Sequence, residues 1–228
     1  MDNQQGNLLH IMDEYIPYVA YTLGALFGDG SVKSRVIPSR SDGSVDHMVR
    51  IACMDFDCIE IVTDQINRLF NSKYKVYSYK NPNDTEMIGL AINNTLIYNF
   101  FHYFIREKLF VPDEIFRASR KDRIEFLAGL FDTDGTISKS NSGYFRLGFS
   151  SRIRTFVEDT TRLLQKLGVR VGKIHEQISG YGTTIYVIKP NIRSFIDSGC
   201  YFRITRKASR ILEYIVAMKP SETIIPNP

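Results

Sequence analysis

The sequence predicts an α+β protein built from two similar halves. Each half runs helix, two strands, helix, two strands, helix, and the leading helices of the two halves pack together. Three observations carry this prediction. A nine-residue stretch occurs twice, Thr22–Gly30 as TLGALFGDG and Leu127–Gly135 as LAGLFDTDG, and its acidic residue recurs after 134 − 29 = 105 positions. Each copy sits on helical apolar spacing, Val19, Leu23, Leu26 and Phe27 in one and Ile124, Leu127, Leu130 and Phe131 in the other. Each also carries small residues mid-helix, Gly24 with Ala25 and Ala128 with Gly129. Glycine there weakens a helix unless a close backbone approach compensates, so these two helices are expected to pack against each other.

The repeat continues beyond each copy. After Asp29-Gly30 come a strand through Ser31–Arg35, a polar loop through Asp42-Gly43 and a returning strand at Val49–Cys53. After Asp134-Gly135 come Thr136–Ser140, a turn at Asn141–Gly143 and Phe145–Phe149. Helical spacing returns at Ile59–Phe70 and at Phe156–Leu167, and third strands are expected at Lys75–Lys80 and Val169–Gln177. Fourth strands then lead into second helices, LAINNTLIYNFF from Leu90 and YVIKPNIRSFID from Tyr186. The expected domains are 1–117 and 118–228, joined by a charged linker at 117–123, with a loose tail at 219–228.

Composition narrows the function classes. A chain of 228 residues with 43% hydrophobic content can form packed cores. Cys53, Cys58 and Cys200 make no CxxC pair and, with four scattered histidines, no zinc spacing, so they read as reduced core thiols. No secretory leader and no membrane-length apolar run is present, which points to an intracellular protein with no membrane partner. The formal net charge is +4 but unevenly spread: residues 1–120 hold 12 basic and 15 acidic residues, and 121–228 hold 17 and 10. The second half is therefore expected to contribute more of any grip on a phosphate backbone.

The two acids carry the chemistry. Each closes a helix at its C-terminal end, where the dipole disfavours a carboxylate. Parallel packing would bring Asp29 and Asp134 together, a like-charge pair that a divalent cation between them would relieve. Strand alternation adds a polar face, with Lys33 and Arg35, Arg50, Tyr77 and Tyr79 in the first half. In the second half it is Ser138, Ser140, Arg146, Lys173, His175 and Gln177. Such a face suits reading base edges in a major groove.

These motifs and the repeat resemble the LAGLIDADG homing endonucleases, in the monomeric form with two motifs in one chain. The resemblance implies a pseudo-twofold pair of αββαββα domains whose sheets form a saddle over double-stranded DNA. It implies that Asp29 and Asp134, with the carbonyls of Gly28 and Thr133, bind Mg²⁺; Mn²⁺ substitutes, and Ca²⁺ binds without supporting cleavage. The implied reaction is a staggered double-strand cut, one acid serving each strand. A basic residue late in each domain supports the reaction: Lys108 in the first half, and Lys207 in the second, where Arg206 competes for the role. Asp55 fills a polar position behind the metal site, and Asp132, matched by Phe27 in the first copy, reads as a cap or structural group.

Rival readings fit less well. Phe131–Ile137 contains the DxDGT pattern of haloacid dehalogenase phosphatases, but on a helix and with no acidic motif downstream. A calcium loop fails because, counting from Asp132, glycine falls at the fourth place rather than the sixth and the twelfth place is Gly143. The alternative that keeps the fold is an RNA maturase acting on host intron RNA, or a non-cleaving DNA-binding protein. The initial Met and the lack of splicing blocks favour a free-standing or intron-encoded protein over an intein.

Overall fold

The computed structural model describes residues 2–36 and 45–218. The loop through Asp42-Gly43 and the expected tail at 219–228 lie outside the described residues. The first half comprises α1 (Asp2–Gly28), β1 (Gly30–Val36), β2 (Val45–Cys53), α2 (Phe56–Leu69), β3 (Tyr77–Lys80), β4 (Glu86–Asn93), α3 (Thr95–Ile105) and α4 (Asp113–Arg117). The second comprises α5 (Arg120–Thr133), β5 (Gly135–Lys139), β6 (Phe145–Ser151), α6 (Arg154–Lys166), β7 (His175–Ile178), β8 (Thr184–Ile188), α7 (Ile192–Asp197) and α8 (Thr205–Met218). The strands form two four-stranded antiparallel sheets, ordered β1-β2-β4-β3 and β5-β6-β8-β7. The same order appearing twice is the structural form of the sequence repeat.

The two leading helices meet through their glycines. A Cβ on Gly24 would lie 1.9 Å from the carbonyl oxygen of Phe126, and one on Gly129 would lie 2.0 Å from that of Tyr21. Neither position has room for a side chain, so the helix axes approach as closely as backbone allows. Contacts advance together along both chains, from Tyr21 beside Gly129 to Gly28 beside Thr133, so the helices run parallel. Around this seam the apolar spacing is buried at Val19, Leu23, Leu26 and Phe27 of α1 and at Leu127, Leu130 and Phe131 of α5, while Ile124 is only partly buried. Phe27 crosses the seam to stack on Phe156 of α6, with centroids 5.1 Å apart.

Each sheet presents one face to these helices. Val49, Ile51 and Cys53 of β2, with Leu90 and Ile92 of β4, are buried on the inner face, and alternate residues look outward. The helices after each fourth strand begin at asparagine caps: Asn94 accepts from the Ile97 amide at 3.1 Å, and Asn191 from the Ser194 amide at 2.9 Å.

Three expectations need correction. The third strands begin later than Lys75 and Val169, because side chains take up the backbone groups a ladder would use. Asn67 receives the Tyr74 amide at 2.8 Å and donates to the Tyr74 carbonyl at 2.9 Å, while the Arg170 amide goes to Ser194 Oγ at 2.9 Å. The connection between halves is shorter than 117–123: Arg120–Arg123 already form the first turn of α5, capped by Ser119. A final helix, α8, comes after the expected last element. Its signal lay in Ala208, Ile211 and Tyr214, which pack against the core at helical spacing.

Gly129→Ala is expected to destabilise the protein by roughly 2–4 kcal/mol, since its methyl group would collide with backbone that cannot move aside. Gly172→Ala, where an added Cβ meets nothing within 4 Å, should change stability by less than about 0.5 kcal/mol. Urea denaturation of both variants checks the contrast.

Candidate active site

Both acids sit one residue past a helix end, Asp29 after α1 and Asp134 after α5. A Cβ on Gly28 would strike Thr133 Oγ1 at 2.0 Å and approach Asp134 Cγ to 3.4 Å, so the two helix ends touch and their carboxylates face one space. Burial and then the charge of Asp29 push the Asp134 carboxyl up to about 6, against the pull of Lys108 and Lys207. Desolvation raises the Asp29 carboxyl as well, opposed by Lys207 and Lys108 and reinforced by Asp55. Two crowded carboxylates held above their ordinary range are the electrostatic signature of a site suited to a divalent cation.

Both expected lysines are at this site. Lys108 Nζ donates to the carbonyl oxygens of Gly28 at 2.8 Å and Gly30 at 2.7 Å. Lys207 Nζ, 4% exposed, donates to those of Phe131, Asp132, Thr133 and Gly135, at 2.8, 2.6, 3.3 and 2.6 Å. An ammonium group at each helix C-terminus satisfies carbonyls that the helix leaves unpaired and offsets the dipole there. Desolvation lowers both lysines, and the carboxylates oppose that shift. Gly28 and Thr133 each keep a carbonyl lone pair beyond the one a lysine uses, so both remain able to ligate a cation.

The two lysines are placed by different means. Lys207 lies in the first turn of α8. Lys108 ends a turn in which Arg106, Glu107 and Lys108 all take left-handed backbone, with φ of 31°, 54° and 61°. Non-glycine residues rarely adopt that region, and three in succession are held there by their surroundings.

The Asp132 side chain is buried and is bonded to partners other than the two lysines. Its Oδ2 accepts from Tyr21 Oη at 2.7 Å and from the Arg203 amide at 3.0 Å, just before α8. Burial raises its carboxyl to about 6. The acid thus joins α1, α5 and the entry to α8, which agrees with a structural role. No local pattern points to its partner Tyr21, because only the helix seam brings them together.

The register puts most of the polar candidates on the two outer sheet faces. Lys33 pairs with Met48, Arg35 with Asp46, Ser31 with Arg50, and Tyr77 and Tyr79 lie opposite Gly89 and Met87. All of these share the face away from the helices. Tyr77 and Tyr79 stack with centroids 5.7 Å apart, and with Asp29, Ser31 and Arg50 they line a recess of about 370 Å³. In the second sheet Ser138 faces Arg146, and His175 and Gln177 lie opposite Val187 and Ile185. Two placements differ from expectation. Ser140 falls in the turn beyond β5, where its hydroxyl bonds Ser142 and the Tyr144 amide. Lys173 precedes β7 in irregular chain and is exposed.

An ion pair across the halves escaped sequence reasoning. Arg206 of α8 donates to both oxygens of Asp55 at 3.1 and 2.8 Å, and the Thr205 amide donates to Asp57 at 2.6 Å. The partners are 151 positions apart, and no local pattern reports such a contact. Cys53, Cys58 and Cys200 are free and buried. Among the described residues, no helix is long and apolar enough to cross a membrane, and no cluster of three or more His, Cys, Asp or Glu side chains forms a metal site.

Residues 122–212 match the family described as the LAGLIDADG-like domain. Solved structures agree over most of the chain. A mesophilic variant of the homing endonuclease I-DmoI is 23% identical with a TM-score of 0.60, covering 80% of this chain and 93% of its own. I-DmoI in complex with DNA and Mn is 22% identical with a TM-score of 0.59, over 80% of this chain and 93% of its own. The I-SmaMI LAGLIDADG homing endonuclease bound to cleaved DNA is 13% identical with a TM-score of 0.52, over 87% and 88%. The chain thus has the two-motif LAGLIDADG fold, and its second half carries a LAGLIDADG-like domain. The ribonucleoside-diphosphate reductase NrdEB subunit alpha of Bacillus subtilis (strain 168) and that of Bacillus phage SPbeta are each 24% identical over 172 residues. Those residues span 67% of this chain and 14% of the reductase subunits.

Asp134→Asn is expected to stabilise the cation-free protein by on the order of 2 kcal/mol at neutral pH, because it removes a carboxylate whose ionisation the fold disfavours. In the wild type the raised carboxyl binds its proton more tightly in the native state. Its stabilising protonation is complete below the unfolded carboxylate range and is lost as pH rises through about 6. Thermal melts in chelator from pH 4 to 8 should show the wild-type curve falling over that interval more steeply than that of the variant.

Proposed function

We propose that this chain is a site-specific homing endonuclease, acting as a monomer, that cuts both strands of a long double-stranded DNA target and leaves short 3′ overhangs. One observation carries the reading: Asp29 and Asp134 converge at the ends of parallel helices, between two sheets whose outer faces bear Lys, Arg, Tyr, Ser, His and Gln. The I-DmoI and I-SmaMI structures with DNA, of the same fold, lend support. The halves divide near 117/118 and act as one unit, each sheet gripping part of the target.

Asp29 and Asp134 would hold the divalent cation, Mg²⁺ or Mn²⁺, with the carbonyls of Gly28 and Thr133. Bound there, such a cation supplies Lewis-acid activation of water and stabilises charge on the leaving oxygen. Lys108 and Lys207 fix the carbonyls at the two helix ends and place positive charge beside the position of the scissile phosphates, where negative charge grows in the transition state. Arg50, Tyr77 and Tyr79 contact DNA next to Asp29, through the recess they share with it. Lys33 and Arg35 extend this contact along the first sheet. Ser138, Arg146, His175 and Gln177 form the matching surface on the second, with Ser140 and Lys173 at its margins.

Cleavage of a plasmid library of randomised and genomic sites, read by end sequencing, tests the proposal. The expected result is one long site cut in Mg²⁺, bound but uncut in Ca²⁺, with short 3′ overhangs. Asp29→Asn and Asp134→Asn should each abolish the double-strand cut while leaving affinity within about threefold. Binding without cutting in either ion would replace the nuclease reading with the maturase or DNA-binding one.

A further inference from the structure

The two centres are not equivalent, and the difference lies where the first turn of α8 meets the start of α2. Asp55 stands at the cap position of α2, where an aspartate ordinarily accepts a backbone N–H, yet its side chain makes no cap bond. It turns instead to the Arg206 guanidinium, which it meets through both oxygens. Two residues on, Asp57 accepts the Thr205 amide at the start of α8. First-half carboxylates thus grip consecutive residues of a second-half helix, and the next residue is Lys207.

Among the described residues, the second half ties its counterpart segment without an ion pair. The cap position of α6 is Ile153, which carries no charge. Thr155, placed like Asp57, gives its hydroxyl to the Leu109 carbonyl at 2.8 Å. Lys108 ends a left-handed turn, and α6 holds the chain just after it through that bond and through Asp159, which accepts the Val111 amide at 3.1 Å, with no ion pair to that segment among the described residues.

Given the nuclease function proposed above, on which this rests, we infer that Asp55 and Arg206 are a positioning pair. They pin the first turn of α8, and with it Lys207, against the carbonyls on either side of Asp134, while Lys108 holds those on either side of Asp29, so that the two DNA strands depend on different supports. Breaking the pair slows the cut on one strand and leaves the other nearly untouched. Arg206 acts here through Lys207 and does not touch the reacting phosphate.

The test uses the full-length protein and the duplex site that the wild type cuts, each strand labelled at its own end, with single-turnover rates measured for both strands in Mg²⁺. Arg206→Gln and Asp55→Asn are each expected to slow one and the same strand by about tenfold or more, with the other within about threefold, so that a nicked duplex accumulates. Arg206→Lys, which keeps a charge for Asp55, should recover much of the loss. A readout independent of cleavage is amide exchange of cation-free protein: Arg206→Gln should speed exchange in the first turn of α8 and leave α5 unchanged. Equal slowing of both strands, or no slowing of either, overturns the inference. So does a first turn of α8 that stays protected in Arg206→Gln. A wild type that cuts neither strand removes the nuclease reading itself, an outcome distinct from all of these.

Discussion

Everything in this protein hangs on the contact between α1 and α5. Gly24 and Gly129 let two helices run parallel with their backbones touching, and the chain beyond each helix must then emerge at one point. An apolar seam of this kind is favoured by the area it buries and by dense packing. Its consequence at the polar end is unfavourable, since two carboxylates are forced into one space. The fold therefore stores electrostatic stress where a divalent cation would relieve it.

The lysines show how the stress is contained without a ligand. Each ammonium group binds carbonyl oxygens at the C-terminal end of a leading helix, and each lies near enough to the acids to draw their carboxyls back down. The same two side chains thus cap the helices, balance the carboxylates and line the proposed reaction centre. Because Lys207 is bound by four carbonyls and Lys108 by two, the balance is uneven.

That unevenness runs through the repeat. Where the second motif has Asp132, bonded to Tyr21 and to the backbone entering α8, the first has Phe27, stacked on Phe156 across the seam. One half ends in a helix whose first turn reaches Asp55 and Asp57 of the other half. The other ends in a left-handed turn and a short linking helix. Pseudo-symmetry is kept in the sheets, where strand order and register repeat, and is given up at the connections.

Local pattern determined much of this protein. Helical spacing, mid-helix glycines and the 105-residue recurrence specified the seam, the two acids and both four-stranded sheets, because these features rest on side-chain periodicity within a short window. Alternation along β1, β2 and β3 likewise put Lys33, Arg35, Arg50, Tyr77 and Tyr79 on one face. Tertiary structure decided what depends on residues far apart in the chain. Strand starts moved where Asn67 and Ser194 took over backbone partners. Ser140 was drawn into a turn, and Tyr21 found Asp132 across 111 positions. Arg206 reached Asp55 across the seam, a pairing that exists only once the helices have packed. Hydrogen bonds and ion pairs of this kind depend on direction and distance in three dimensions, and a pattern of residue types carries neither.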